Sequence, residues 1–264
     1  MIFCLFPFYW LINTSLKVGP DLSKSDLLPP HPTFDNYSSV FDNKDFVKAL
    51  RNSAIVSLTT TAISLAIGSF AAYALARLRV PGKFLLLGLF LSISTFPPIA
   101  IAAPIFKLWS DIDIFGFKLY NSYAGLILPD LTFTLPLTIY ILTSFFREIP
   151  RELEEAALVD GATYFQSFRK VVLPLAAPGL VTAGLLAFIF VWNEFLFAIT
   201  LTSTPDRRPV PAAIAFFTGT SSRFEVPLGT ISAASVLVTV PLIALVILFQ
   251  RRIVAGLTAG AVKG

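Results

Sequence analysis

Five long apolar runs, at 52–76, 84–106, 122–146, 173–201 and 228–250, alternate with shorter polar segments along the chain. Each exceeds the roughly 20 residues an α-helix needs to cross the hydrocarbon of a bilayer. A sixth run, residues 1–16, carries no charge from Met1 to Thr14 but is too short for a full crossing. It lacks the basic start and small-residue cleavage site of a signal peptide. We therefore expect the sequence to begin inside its first span, with residues missing upstream. The pattern predicts an all-α, polytopic membrane protein with six transmembrane helices, the first truncated.

The polar connections fall on two sides. Segments 17–51, 107–121 and 202–227 share one; 77–83, 147–172 and the tail 251–264 share the other. Lys and Arg divide evenly between them. However, Arg77, Arg79, Lys83, Arg251 and Arg252 hug span ends, which favours the second side as cytoplasmic. Segment 17–51 is too rich in Pro, Asp and Asn to span and is expected outside the cytoplasm. Pro97, Pro98, Pro104, Pro129, Pro136, Pro178 and Pro241 lie inside the runs. Each removes a helix hydrogen bond and permits a kink, although proline is also simply commoner in membrane helices. No internal repeat or low-complexity tract is evident.

The polar interruption at 147–172 reads as two short helices. Pro150 suits a first helical turn, and Glu152, Glu154 and Glu155 sit near the positive end of that helix dipole. Gly161 is a natural stop. Thr163 and Gln166 have capping-box spacing and restart a helix. A structured helix pair between two spans points to a docking element.

Composition narrows the chemistry. The 264 residues are 55% hydrophobic and only 14% charged, with mean hydropathy +0.77, so surplus apolar surface must face lipid. The net charge of +4 gives no reason to invoke nucleic acid. Cys4 is the only cysteine and His31 the only histidine, which excludes an internal disulfide, a cysteine cluster and a multi-His metal site. His31 reads as a solvated loop residue. No P-loop, G-x-S-x-G or H-E-x-x-H pattern is present; if the chain serves ATP-driven transport, the ATPase must be another subunit.

Polar groups within spans are costly and usually face a cavity or another helix. Asp130, after Pro129, reads either as a helix cap or as an acceptor for a polyhydroxylated substrate. Trp192, Asn193 and Glu194 form a set that suits a sugar: an aromatic face for C–H surfaces, an amide and a carboxylate for hydroxyls. Asn193 is equally suited to helix packing. Glu194 lies roughly 30 Å along its span from Pro174 and is expected to face the cavity. Thr59, Thr60 and Thr61 read as backbone-bonded packing residues.

The run Glu155-Ala156-Ala157-Leu158-Val159-Asp160-Gly161-Ala162, followed by Val171-Val172-Leu173-Pro174, resembles the cytoplasmic "EAA" loop of ABC importer permeases. So do Ser15-Leu16-Lys17, Phe34-Asp35-Asn36-Tyr37, Ala74-Leu75-Ala76-Arg77, Phe145-Phe146-Arg147-Glu148-Ile149-Pro150, Trp192-Asn193-Glu194 and the tail 250–264. Together they resemble the MalG-like permease subunit of carbohydrate ABC importers, in the trehalose and maltose branch. The resemblance implies a type I ABC importer permease fold, a single transmembrane domain over 1–264, both termini in the cytoplasm, and the plasma (inner) membrane of a bacterium or archaeon. It implies no enzymatic activity and no cofactor on this chain, ATP and Mg²⁺ being held by two partner ATPase subunits. The other partners implied are a MalF-like second permease, a solute-binding protein approached by loop 202–227, the sugar (a disaccharide or small glucoside) and lipid. In that resemblance Glu155, Ala156, Ala157, Asp160 and Gly161 dock into an ATPase groove, and the glycine-rich tail reaches the ATPase interface.

Two rival readings remain on residues alone. An ion-coupled secondary transporter would use intramembrane acids such as Asp130 and Glu194, but would leave the helix pair unexplained. A membrane-embedded enzyme lacks a nucleophile or metal motif.

Overall fold

The computed structural model describes residues 2–114, 116–217 and 227–259. Helix α1 (Ile2–Ser15) leads through a 3₁₀ turn at Gly19–Ser23 to α2 (Asp35–Asp42) and the long α3 (Lys44–Arg77). Then come α4 (Lys83–Ser94) and α5 (Pro98–Asp111), and an antiparallel pair of two-residue strands, β1 (Asp113–Ile114) and β2 (Phe117–Lys118). Helix α6 (Tyr123–Glu148) precedes α7 (Arg151–Val159) and α8 (Tyr164–Ser167). A π-helical turn, Phe168–Val172, joins α8 to α9 (Leu173–Leu175) and α10 (Ala177–Trp192). The chain continues through α11 (Leu196–Leu201), α12 (Val210–Ala215) and α13 (Leu228–Ala259).

Among the described residues α3, α6 and α13 are long and apolar enough to cross a membrane unaided. Two bent helix pairs pass the same test only when each is taken together: α4 meets α5 at 82°, and segment 164–175 meets α10 at 76°. The runs 84–106 and 173–201, expected as continuous spans, are thus broken. Pro97 and Pro98 explain the first break, since neither supplies the N–H needed to continue α4. The second run breaks again at Asn193–Phe195, before α11.

Helix α3 starts eight residues before the apolar run that predicts it. Asn43 caps it, its Oδ1 accepting from the N–H of Asp45 at 3.0 Å and of Phe46 at 3.2 Å. The first turns carry Lys44, Asp45, Lys48 and Arg51, so hydropathy alone misses them.

Helices α3 and α6 pack along most of their lengths, and α10 lies against both. Ser53, Ser57, Thr60, Ser64 and Gly68 of α3 recur at helical spacing and are buried. Small residues of this kind let helix backbones approach where lipid supplies no hydrophobic drive. The Ser64 and Thr134 hydroxyls bond at 2.7 Å, and a Cβ on Gly68 would meet Thr138 Cγ2 at 2.7 Å. Thr60 is buried, but the hydroxyls of Thr60 and Thr61 have no hydrogen-bond partner, contrary to the expected backbone bonding. Helix α13 packs on α1, α2 and α10, α4 on α6, and α11 on α5.

At the end of α1 the Lys17 ammonium is buried, donating to the carbonyls of Lys24 at 3.1 Å and Asp26 at 2.9 Å and lying over the Trp10 ring. His31 is exposed as expected, but its Nδ1 meets Asp21 Oδ2 at 3.1 Å. Lys24, and secondarily His31, hold the Asp21 carboxyl below the usual carboxylate range.

Pro129 sits inside α6 without ending it. It deprives the Gly125 carbonyl of its helical donor, and the Trp109 indole of α5 donates to that carbonyl at 2.8 Å. A Cβ at Gly125 would lie 2.0 Å from the Leu119 carbonyl oxygen and 3.2 Å from Trp109 Cδ1, whereas at Gly88 it meets nothing within 4 Å. We expect Gly125→Ala to lose about 1–3 kcal/mol, read as a lowered melting temperature in detergent, with Gly88→Ala neutral or slightly stabilising. Equal behaviour of the two variants would show that the α5–α6 contact has slack.

Candidate functional site

Two places gather the residues singled out from sequence. The first is the helix pair after α6. Pro150 lies one residue before α7 rather than in its first turn, in extended backbone (φ −56°, ψ 135°), which gives α6 a stop and α7 a fresh start. Glu152 and Glu154 occupy the first turn. Helix α7 ends in a Schellman motif: Ala162 N–H donates to the Ala157 carbonyl at 2.9 Å and Gly161 N–H to that of Leu158 at 3.1 Å. Gly161 has φ +88°, a left-handed conformation that favours glycine. Nothing lies within 4 Å of a Cβ built there, so a side chain is opposed by backbone conformation alone.

Thr163 and Gln166 form a reciprocal capping box, Thr163 N–H donating to Gln166 Oε1 at 2.9 Å and Gln166 N–H to Thr163 Oγ1 at 3.2 Å. The two helices are thus stopped and restarted within four residues.

Within this pair Glu155, Ala156, Asp160 and Gly161 are exposed and Ala157 is half-buried. Val159 is 87% exposed, and Leu153, Tyr164 and Phe165 also show large apolar surface. Sequence reasoning missed Glu154, the residue that turns inward. It is buried, accepts from the Tyr73 hydroxyl of α3, and lies 3.5 Å from Arg77 Nε. Arg77 also donates to the Ile149 carbonyl at 2.7 Å. The available signal was periodicity, since Glu154 shares a helix face with half-buried Leu158 four residues on.

The second place is the break after α10. Sequence reading expected Trp192, Asn193 and Glu194 to act together, yet the structure sends them different ways. Trp192 is buried, stacks on Phe188 with centroids 5.4 Å apart, and donates its indole N–H to the Val238 carbonyl of α13 at 3.2 Å. Its ring is spent on packing α10 against α13 and presents no free face to a sugar. Asn193 is exposed but folds back, its Nδ2 donating to the Ile189 carbonyl at 2.8 Å. Glu194 is half-buried and caps α11: Oε1 accepts from Phe197 N–H at 2.7 Å and Oε2 from Ala198 N–H at 2.9 Å.

Asp130 is buried 98% of the way, at 2% exposure, and its Oδ1 has no hydrogen-bond partner. It stands mid-turn in the continuous helix α6, so the cap reading is wrong. The structure brings Asp130 within electrostatic reach of Glu194. Among the described residues no three His, Cys, Asp or Glu side chains converge as a metal site would require.

The largest cavity described, about 430 Å³ between α3, α10 and α13, is lined by Leu58, Leu65, Leu185, Phe188, Leu245 and Phe249 among others. It includes none of the expected pathway residues. Walls this apolar cannot satisfy the hydroxyls of a sugar.

At the opposite end from α7, residues 202–209 are tied to α3 and α6. Asn52 donates to the carbonyls of Pro205 and Arg208 and accepts from the Tyr123 hydroxyl at 2.7 Å. Asn121 Oδ1 accepts from the N–H groups of Ser203 and Thr204. Lys48 pairs with Asp206 at 2.8 Å and holds its carboxyl below the usual range. Residues 218–226 of loop 202–227, and 260–264 of the tail, lie outside the described residues; the tail is helical to Ala259.

The capping geometry sets an expectation for Glu194. Glu194→Ala orphans two N–H donors at the start of α11 and should lower stability by about 0.5–2 kcal/mol, with transport reduced. Glu194→Gln retains one acceptor and should fall between. Alanine and glutamine variants indistinguishable from wild type, in both melting temperature and transport, would rule out the cap.

The profile of the binding-protein-dependent transport system inner membrane components matches residues 64–258. The chain is 51% identical over 262 residues to the trehalose transport system permease protein SugB of Mycobacterium tuberculosis, covering 99% of this chain and 93% of that protein. It is 42% identical to the sulfoquinovosyl glycerol transport system permease protein SmoH of Agrobacterium fabrum, over 98% and 89% of the two chains. It is 40% identical to the trehalose/maltose transport system permease protein MalG of Thermococcus litoralis, over 100% and 93%. Among solved structures, a bacterial ABC transporter that imports the acidic polysaccharide alginate superposes with a TM-score of 0.78 over 95% of this chain and 91% of that one, at 22% identity. That likeness is one of fold, the type I importer arrangement of membrane helices. The profile match over most of the chain and the end-to-end relatives carry the conclusion: this chain belongs to the family of binding-protein-dependent transport system inner membrane components, the multi-pass permeases of ABC importers.

Proposed function

We propose that the chain is one of two membrane subunits of an ATP-driven importer for a disaccharide or small glucoside. The observation that carries the coupling half of this reading is the α7–α8 pair. It is rigidly stopped and restarted, and turns Glu155, Ala156, Val159 and Asp160 away from the bundle. Small Ala156 and Ala157 let a partner backbone approach closely, and exposed Val159 supplies an apolar anchor. In this reading the pair docks into a groove of one of two ATPase subunits, on the cytoplasmic side, where both termini also lie. Those subunits hold ATP and Mg²⁺; this chain is non-catalytic and binds no cofactor. A MalF-like permease completes the pathway. A solute-binding protein meets the outer face at loop 202–227, whose base is held by Asn52 and Asn121.

The sugar class is supported by relatives named for trehalose, trehalose/maltose and sulfoquinovosyl glycerol transport. Asp130 and Glu194 are kept as pathway residues, with Asn193. The cap geometry gives Glu194 a positioning part, and the packing of Trp192 shifts sugar stacking to the partner permease. The ion-coupled alternative loses ground for the same reason: Glu194 has both oxygens engaged by backbone donors, leaving Asp130 with little to couple.

The test is copurification of two ATPase subunits with this chain, and ATP hydrolysis in liposomes that rises with trehalose or maltose and the cognate binding protein. Uptake driven by an ion gradient without ATP would overturn the proposal.

Glu155 supplies a sharper check. An exposed carboxylate at a docking face suits an arginine of the partner, and charge-assisted bonds are the strong ones. Glu155→Lys should leave the spans folded and uncouple ATP hydrolysis from uptake by about tenfold or more. Wild-type uptake by the assembled variant complex would remove Glu155 from the docking face.

A further inference from the structure

We propose that Glu154 is a positioning residue, and that with Tyr73 and Arg77 it clamps α7 to α3 so that the two move as one body. The proposal rests on the reading of α7 as the ATPase-docking helix. The clamp geometry itself does not.

Helix α7 has few ways to hold its angle against the bundle. It is nine residues long, too short to be stable alone. One face carries Glu155, Ala156 and Val159 into open space. Covalently it hangs from α6 through Ile149–Pro150, and from α8 through the Gly161 turn. Its packing neighbours are α8 and the π-helical turn. The single polar tie to the membrane helices, among the described residues, is Glu154.

That tie differs from the other ion pairs of the chain. The side chains of Arg77 and Glu154 are 5% and 10% exposed, whereas every other described pair has at least one partner more than 40% exposed. An exposed pair is worth little, but a buried carboxylate that loses a partner is left uncompensated. Each member is also held from a second direction. Arg77 donates to the Ile149 carbonyl at 2.7 Å, at the hinge between α6 and α7. Tyr73 packs its ring on Phe168, centroids 4.9 Å apart, and Phe168 in turn meets Phe146 and Phe70. Glu154 therefore closes a ring that touches α3, the α6–α7 hinge and the π-helical turn.

The other end of α3 is engaged too. Across its 34 residues, about 50 Å at 1.5 Å per residue, it carries Lys48, Asn52 and Ser53. These bind Asp206, the Pro205 and Arg208 carbonyls, and Val210 N–H. One helix thus joins the α7 clamp to the base of loop 202–227. The clamp is the polar link by which displacement of α7 reaches that base through α3.

The test uses the whole importer, reconstituted in liposomes with its binding protein and radiolabelled trehalose, and reports sugar moved per ATP hydrolysed. Glu154→Ala and Tyr73→Phe should each retain the ATPase subunits yet lower that ratio, the alanine variant by about fivefold or more. Glu154→Gln, which keeps an acceptor for Tyr73, should retain more. The double variant should be no worse than Glu154→Ala, because the residues act as one unit. The exchange Arg77→Glu with Glu154→Arg should restore part of the ratio, a rescue that lost folding would not allow. Hydrogen exchange over 147–160 reports the clamp without any substrate and should rise in Glu154→Ala alone of the Glu154 and Glu155 alanine variants. Unchanged exchange and an unchanged ratio in Glu154→Ala would overturn the proposal. Raised exchange with an unchanged ratio would keep the clamp as a structural tie and reject its part in coupling. If Glu155→Lys also leaves coupling intact, the docking reading of α7 fails instead. Should Glu154→Ala shed its ATPases, Tyr73→Phe, which keeps the acid and its ion pair, decides by the same ratio.

Discussion

Hydrocarbon offers no hydrogen bonds, so a backbone amide left unpaired at membrane depth costs several kcal/mol. This chain breaks its own helices there more than once, and its architecture follows from how each break is closed. Pro129 frees the Gly125 carbonyl, and Trp109 of a neighbouring helix donates to it. The gap after Trp192 orphans the first N–H groups of α11, and both oxygens of Glu194 accept from them. At the α4–α5 bend the last turn tightens, Thr95 N–H reaching Ser92 and Phe96 N–H reaching Ile93. The next two residues are prolines, which bring no donors to orphan. Two bonds span the bend at Ala176: Ala176 N–H reaches Val172 and Leu180 N–H reaches Ala176, while Pro174 and Pro178 bring no donors. The chain accommodates bends of 82° and 76° in this way, and straight rods give way to a bundle that includes bent helix pairs.

Around those breaks sits one continuous frame. Helices α3 and α6 meet through small and hydroxyl side chains, with Ser64 bonded to Thr134 and Gly68 against Thr138. Close approach of this kind gives dispersion contact without a hydrophobic drive. It also puts the ends of α3 within reach of both polar faces. At one end Arg77 and Tyr73 receive α7; at the other Asn52 receives the strand of chain after α11. The frame is rigid where the pieces mounted on it are short, and that contrast suits a permease that alternates by moving bodies rather than by melting helices.

Much of this was legible in the sequence. Hydropathy finds the spans because lipid selects for it directly. The α7–α8 turn was legible because capping is local: Gly161, Thr163 and Gln166 act on backbone atoms within a few residues. The extension of α3 to Lys44 was hidden, since its polar first turns lie outside the apolar run and only the Asn43 cap betrays them. The breaks at 95–97 and 193–195 were hidden for a different reason. A proline inside an apolar run either ends a helix, as Pro97 does, or is absorbed, as Pro129 is by Trp109. That outcome depends on a side chain twenty residues away. The partners of Trp192 and Glu194 were illegible for the same cause, one bonding to α13 and the other to the next helix start.

Glu154 and Glu155 show how far residue identity falls short of a role. They are chemically alike and adjacent, but successive residues on an α-helix point about 100° apart. On a helix lying along the edge of a bundle that angle separates inside from outside. One carboxylate is taken up by Tyr73 and Arg77, and the other is left facing solvent. A docking helix needs both kinds of contact, since an outward charge can transmit force to the spans only if something inward holds the helix against them. In the proposed docking reading the sequence motif names the outward residue, because that face suits a partner protein. The inward one is set by the bundle, and its signature is the spacing of Tyr73 and Arg77, one turn apart on α3, across from a single acid.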